Sequence, residues 1–72
     1  MRYMVVIEKG PSGFGAFVPD LPGCIAVGET EAEALVLIEE AIQFHLEDMK
    51  AGGQKIPPPA SKSVFVDVPL AA

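Results

Sequence analysis

One stretch of helical grammar constrains this chain more than anything else in it. Thr30 stands three residues ahead of Glu33, the spacing of a capping box. There the hydroxyl accepts from a free amide of the first turn and the carboxylate reaches back to another. Glu31 and Glu33 also bring negative charge to the positive end of the helix dipole. Apolar residues then recur at intervals of three and four as far as Met49, Lys50 puts a cation near the C-terminal end, and Gly52-Gly53 supplies a stop. The pattern predicts one helix from about Glu31 to Ala51, which leaves the rest of a 72-residue chain to strands and turns.

That helix carries more apolar surface than one neighbour can hide. Leu35, Ile38, Ile42, Leu46 and Met49 share a stripe, the expected core face. Ala34, Leu37, Ala41 and Phe44 make a second stripe, about 100° to 160° round the axis from the centre of the first. The remaining flank, Glu39, Glu40, Gln43 and Glu47, is expected to face water. Between Glu31 and Lys50 stand six carboxylates and one lysine.

Before the helix, three segments have the residue types of strands. Tyr3 to Glu8 alternates Tyr3, Val5 and Ile7 with Met4 and Val6, so both of its faces are apolar. Lys9-Gly10-Pro11-Ser12-Gly13 is a turn cluster, and Phe14 to Val18 returns antiparallel as the second arm of a hairpin. Pro19-Asp20-Leu21-Pro22-Gly23 interrupts the sheet, since each proline lacks a ladder donor and Gly23 can adopt backbone angles closed to other residues. Cys24 to Val27 is a short third strand ended by Gly28. After the helix, Pro57-Pro58-Pro59 forms a stiff connector with no amide hydrogens. Ser63 to Val68, with Val64, Val66 and Val68 alternating against Phe65 and Asp67, reads as a fourth strand. The order is βββαβ: an α+β domain with one helix packed on one face of a four-stranded sheet, and a single domain over 1–72.

Such a sheet has a bare second face, and by parity that face is apolar. Either Tyr3, Val5 and Ile7 or Met4 and Val6, together with partners such as Phe17 and Phe65, must point away from the helix. Monomers rarely expose more than a few hundred Å² of contiguous apolar surface. A chain this short also buries only about 60% of the surface its unfolded form exposes, so its core is marginal without a further staple. A homo-oligomer is therefore expected. Leu37, Ala41, Phe44, Phe17 and Phe65 are the candidate residues for self-association or partner docking.

Composition narrows the function. Half the chain is apolar and 21% is charged, too hydrophobic for a disordered tail. The longest apolar run, Ala34 to Ile38, falls far short of the roughly 20 residues of a spanning helix. No signal peptide is read at Met1-Arg2-Tyr3, and a lone cysteine fits a reducing compartment, so a cytoplasmic protein is expected. The formal charge is −5, and the basic residues Arg2, Lys9, Lys50, Lys55 and Lys62 are scattered. That argues against direct contact with nucleic acid, which needs clustered cations, and favours a basic protein partner.

No constellation for catalysis stands out. His45 is the only histidine and has neither a Cys nor a second His one helical turn away, so it is read as a packed flank residue. Cys24 has no companion base and is read as a small buried hydrophobe. Glu8, Asp20, Asp48 and Asp67 show no spacing that converges on a metal, as a Mg²⁺-dependent nuclease requires. Gly13-Phe14-Gly15 lacks the lysine and following helix of a phosphate loop and fits a hairpin turn. No cofactor and no metal are expected, and the chain is read as a non-enzyme.

The run Ala16-Phe17-Val18-Pro19-Asp20-Leu21-Pro22-Gly23-Cys24 resembles the HicB family of antitoxin-like proteins. Gly28-Glu29-Thr30, Glu33-Ala34-Leu35, Glu40-Ala41-Ile42, His45-Leu46 and Ile56-Pro57-Pro58-Pro59 extend the resemblance in order and spacing, over about residues 3 to 68. It implies a partial ribonuclease-H-like fold, βββαβ. It also implies the role of an antitoxin that binds and occludes a small basic mRNA-cleaving toxin of the HicA type. Longer HicB members append a DNA-binding module, for which the residues after the connector are too few. The resemblance is thus to the short, stand-alone form. A stand-alone homo-oligomeric module for a small ligand or another protein is the alternative reading.

Overall fold

The computed structural model describes residues 1–71. Its elements are β1 (Val6–Lys9), β2 (Phe14–Phe17), β3 (Ile25–Gly28) and α1 (Glu31–Ala51). The three strands form one antiparallel sheet in the order β1-β2-β3. Its register sets Val6 opposite Phe17, and Phe17 opposite Ile25. β1 starts later than Tyr3 because its partner runs out: continuing the register would place Pro19, which has no amide hydrogen, opposite Met4.

The hairpin between β1 and β2 is closed by the Gly10 N–H donating to the Gly13 carbonyl at 2.7 Å. Between β2 and β3 the chain makes two successive turns. The Leu21 N–H donates to the Val18 carbonyl at 3.1 Å, and the Cys24 N–H to the Leu21 carbonyl at 3.1 Å. In the second turn Pro22 and Gly23 are the central residues, and Gly23 has φ +83. That is a type II turn, with proline fixing the first central position and glycine free to take the positive φ of the second. The Val18 N–H then donates to the Cys24 carbonyl at 3.2 Å and ties the two ends together.

The helix has the predicted bounds. Thr30 is its N-cap, with Oγ1 accepting from the Glu33 N–H at 3.0 Å. The returning bond lands one residue further back than in the standard box: Glu33 Oε1 accepts from the Glu29 N–H at 3.2 Å. At the other end, the Gly53 N–H donates to Lys50 and the Gln54 N–H to Met49, a Schellman closure.

The face that α1 buries is rotated from the expected one. Ala34 and Ile38 are fully buried, with Ala41, Ile42 and Leu46 packed beside them, whereas Leu35 is 45% exposed. The cause is a close approach at the helix start. A Cβ at Gly28 would stand 2.7 Å from the Ala34 backbone nitrogen, so only glycine lets β3 press against the first turn and carry Ala34 into the core. α1 lies mainly over β3, then β2, and least over β1. The core is Ala16, Val18, Leu21, Cys24, Ala34 and Ile38, flanked by Tyr3, Val5 and Ile7. Met4 and Val6 therefore belong to the opposite face.

The fourth strand is a correction. Ser63 to Val68 joins no sheet, and residues 58–71 are exposed throughout. Pro57, Pro58 and Pro59 offer no ladder donors, and the next two amides are taken by Asp20 rather than by a strand. The segment leaves the body as an arm. The radius of gyration is 14.8 Å and the long dimension 55 Å, against about 11 Å expected for a compact chain of this length. The sheet described here has three strands, not four.

Candidate protein interface

The interrupting loop is a structural knot with one outward-facing function. Val18, Leu21 and Cys24 point inward and are buried, Leu21 completely. Asp20, between them, faces out and grips the arm. Its carboxylate accepts from the Ala60 N–H at 2.9 Å, the Ser61 N–H at 2.9 Å and the Ser61 hydroxyl at 2.7 Å. These bonds favour the charged form and hold its pKa below the ordinary carboxylate value, the Ser61 amide contributing most and the Ala60 amide next. A second tie runs from the Tyr3 hydroxyl to the Pro57 carbonyl. The arm's base is thus fixed to the body, while the residues beyond it are not.

Two apolar surfaces lie open on the body. On the outer face of the sheet, Val6, Phe17 and Ile25 stand in a cross-strand row. Val6 and Phe17 are half-buried, while Ile25 is 67% and Val27 73% exposed. Round the edge of β3 runs a groove lined by Ile25, Val27, Leu37, Ala41 and Phe44, with Glu40 and His45 on its rim. Phe44 is 75% exposed there. Glu47, two turns beyond Glu40 on the same helix flank, is exposed as well, so the apolar floor has carboxylates along one border.

Of the residues singled out in the sequence, Leu37, Ala41 and Phe44 share this groove. Ala41 also packs against the core. Phe17 lies on the outer sheet face, and Phe65, 99% exposed, is on the arm away from both. Ile25 and Val27 were missed. Their signal was parity: the small inward residues Cys24 and Ala26 alternate with two large β-branched ones that have no room beneath a helix packed this closely.

The groups considered for catalysis do not converge. Cys24 is buried, and desolvation pushes its thiol pKa up, so it rests as the un-ionised thiol. Asp20 is occupied by the arm. Among the described residues no group of three or more His, Cys, Asp or Glu side chains is placed to hold a metal ion, and no helix is long and apolar enough to cross a membrane.

Comparison with known proteins places this architecture. Residues 3–69 match the family described as the HicB-like antitoxin of bacterial toxin–antitoxin systems, and the chain belongs to that family. A UPF0150 protein of Thermoplasma acidophilum is 40% identical over 67 residues, covering 92% of this chain and 97% of that one. Antitoxin HicB 2 of Photorhabdus laumondii is 35% identical over 74 residues, covering 96% of this chain and 50% of its own length. An uncharacterized 14.9 kDa protein of Haemophilus phage HP1 is 42% identical over 57 residues, 79% of this chain and 43% of that one. The chain therefore spans about half of the named antitoxin and somewhat less of the phage protein, but nearly all of the archaeal relative. Among solved structures, a chain of the HicA3 and HicB3 toxin–antitoxin complex superposes with a TM-score of 0.66 at 34% identity, covering 81% of this chain and 72% of that one.

Proposed function

We propose that this chain acts as an antitoxin, binding a small basic mRNA-cleaving toxin of the HicA type and occluding it by direct protein contact. The observation that carries the reading is the groove between β3 and α1. Its apolar floor exposes Ile25, Val27 and Phe44 with Leu37 half-buried among them, and Glu40 lines its border in a chain with net charge −5. An aromatic anchor in an apolar centre with a charged rim is the usual anatomy of a specific interface. A toxin that grips RNA must itself be basic, so carboxylates at the rim would speed encounter and fix orientation. The outer sheet face, with Val6, Phe17 and Ile25, is assigned to self-association. Family membership and the likeness to a chain from a toxin–antitoxin complex support this reading.

Co-expression with any HicA-type protein encoded beside this chain's gene tests it. The two are expected to co-purify and the chain to restore growth. Phe44→Glu should weaken the pair by roughly tenfold or more, the scale of a buried aromatic anchor, without unfolding a chain in which that side chain is exposed. If no such neighbour binds, the reading fails.

A further inference from the structure

The arm has the composition of a sheet strand and none of its bonds. Val64, Phe65, Val66, Val68 and Leu70 are 70%, 99%, 76%, 70% and 91% exposed. Alternating valines around an aromatic suit a pleated, half-buried surface, and nothing in them resembles a solvated tail. The body, for its part, has free edges on β1 and β3, each a row of backbone donors and acceptors open to another strand.

The placement of the arm's base selects β1. Asp20 holds Ala60 and Ser61, and Ser61 to Ser63 lie beside Arg2 to Met4, the residues that lead into β1. Because α1 covers β1 least, a groove lined by Tyr3, Ile42 and Leu46 stays open along that side. A strand added to β1 would satisfy its edge and lay alternate side chains into that groove. The chain's own arm does not do so. Among the described residues its amides beyond Ser61 make no backbone bond to the sheet, and it projects along the 55 Å axis.

We propose that residues 62–70 are a strand-exchange element: the arm of one copy adds to the free edge of β1 in a second copy, which returns its own arm to the first. The inference rests on the self-association proposed above and adds to the sheet-face contact a second one, at the β1 edge. A second copy fits better than a toxin because one chain carries both the donor strand and the acceptor edge. A twofold pairing therefore satisfies both at once and closes. The area is sufficient. A phenylalanine alone buries about 150–250 Å², and five apolar side chains contributed twice, with the surface they cover, reach the range of a standard interface, about 1,600 Å².

Sedimentation of the full chain at micromolar concentration, with amide exchange read over 64–68, tests the proposal. The wild type is expected at twice the 7.6 kDa of one chain, with slow exchange along the arm. Val66→Pro removes a ladder donor from a side that packs against nothing in the single copy. It should shift the mass to that of a monomer at the same concentration and return the arm amides to fast exchange, as should Phe65→Asp. A monomeric wild type overturns the proposal, whether its arm is free, protected on its own β1, or protected only when the HicA-type toxin is added. A dimer that Val66→Pro leaves intact, with fast arm exchange in both, overturns the exchange while sparing self-association through the sheet face. Neither result touches toxin binding, which the co-expression above reads separately.

Discussion

The body and the arm of this molecule are built from the same kinds of residue and have opposite fates. In the body, Val18, Leu21 and Cys24 are drawn inward by two tight turns, and Ala34 and Ile38 close over them. In the arm, Val64, Val66 and Val68 have equal apolar content and strand propensity but remain in water. The difference lies in what the backbone can reach. The turns that draw Val18, Leu21 and Cys24 inward close over a few residues, so their closure costs little entropy. The arm follows three prolines and an anchored base, and makes no bond to the free edges of its own sheet; in the exchange proposed above it finds that edge on another molecule. Apolar pattern decides that a segment will be buried; connectivity decides in which chain.

The largest expected effect breaks the body while leaving the arm as it is. Leu21 is completely buried, and Leu21→Ala should cost about 2–5 kcal/mol. A core this small supplies only about 3–5 kcal/mol in all, so urea unfolding followed by circular dichroism should find the variant largely unfolded at room temperature. A loss under about 1 kcal/mol would show that the knot of turns is held by its backbone bonds and not by its plug.

A smaller effect is expected at the helix start. Thr30→Ala removes the acceptor of the Glu33 N–H and should lower stability by about 1 kcal/mol in the same urea titration. It should leave the arm's exchange pattern unchanged.

The smallest effect lies at the junction of the two regions and depends on pH. The three bonds from Ala60 and Ser61 depress the Asp20 pKa. Their contribution is therefore complete above the ordinary carboxylate value, about 3.9, and is lost as pH falls through the lowered one. The amides of Ala60 and Ser61 should stay protected at neutral pH and open on acidification below that range. Asp20→Ala should expose them at every pH while leaving the unfolding midpoint of the body nearly unchanged.

Most of the body was legible in the sequence, and the reasons are local. Capping by Thr30 and Glu33, termination at Gly52-Gly53 and the turns at Gly10–Gly13 and Pro22-Gly23 are each dictated within a few residues. What was not legible depends on distance. The face that α1 buries turned on the approach of Gly28 to Ala34, which shifts the core from Leu35 to Ala34 and follows from no periodicity. The fourth strand was expected from the residues of Ser63 to Val68, and their strand-like character is plain; their lack of a partner in the same chain is set by the connector and by Asp20. In the candidate site, the groove of Leu37, Ala41 and Phe44 followed from the second helical stripe. Its other wall, Ile25 and Val27, required knowing which side of β3 the helix takes.

If the exposed apolar groove of this HicB-family chain is covered by a toxin, the chain must silence that toxin in a purified mixture. The decisive measurement is cleavage of a defined mRNA by a HicA-type protein encoded beside this chain's gene while the purified chain is added in increasing amounts. Cleavage should fall to the background level near stoichiometric addition, and Phe44→Glu should require roughly tenfold or more of the chain to reach the same point. Undiminished cleavage in the presence of a folded excess would contradict it.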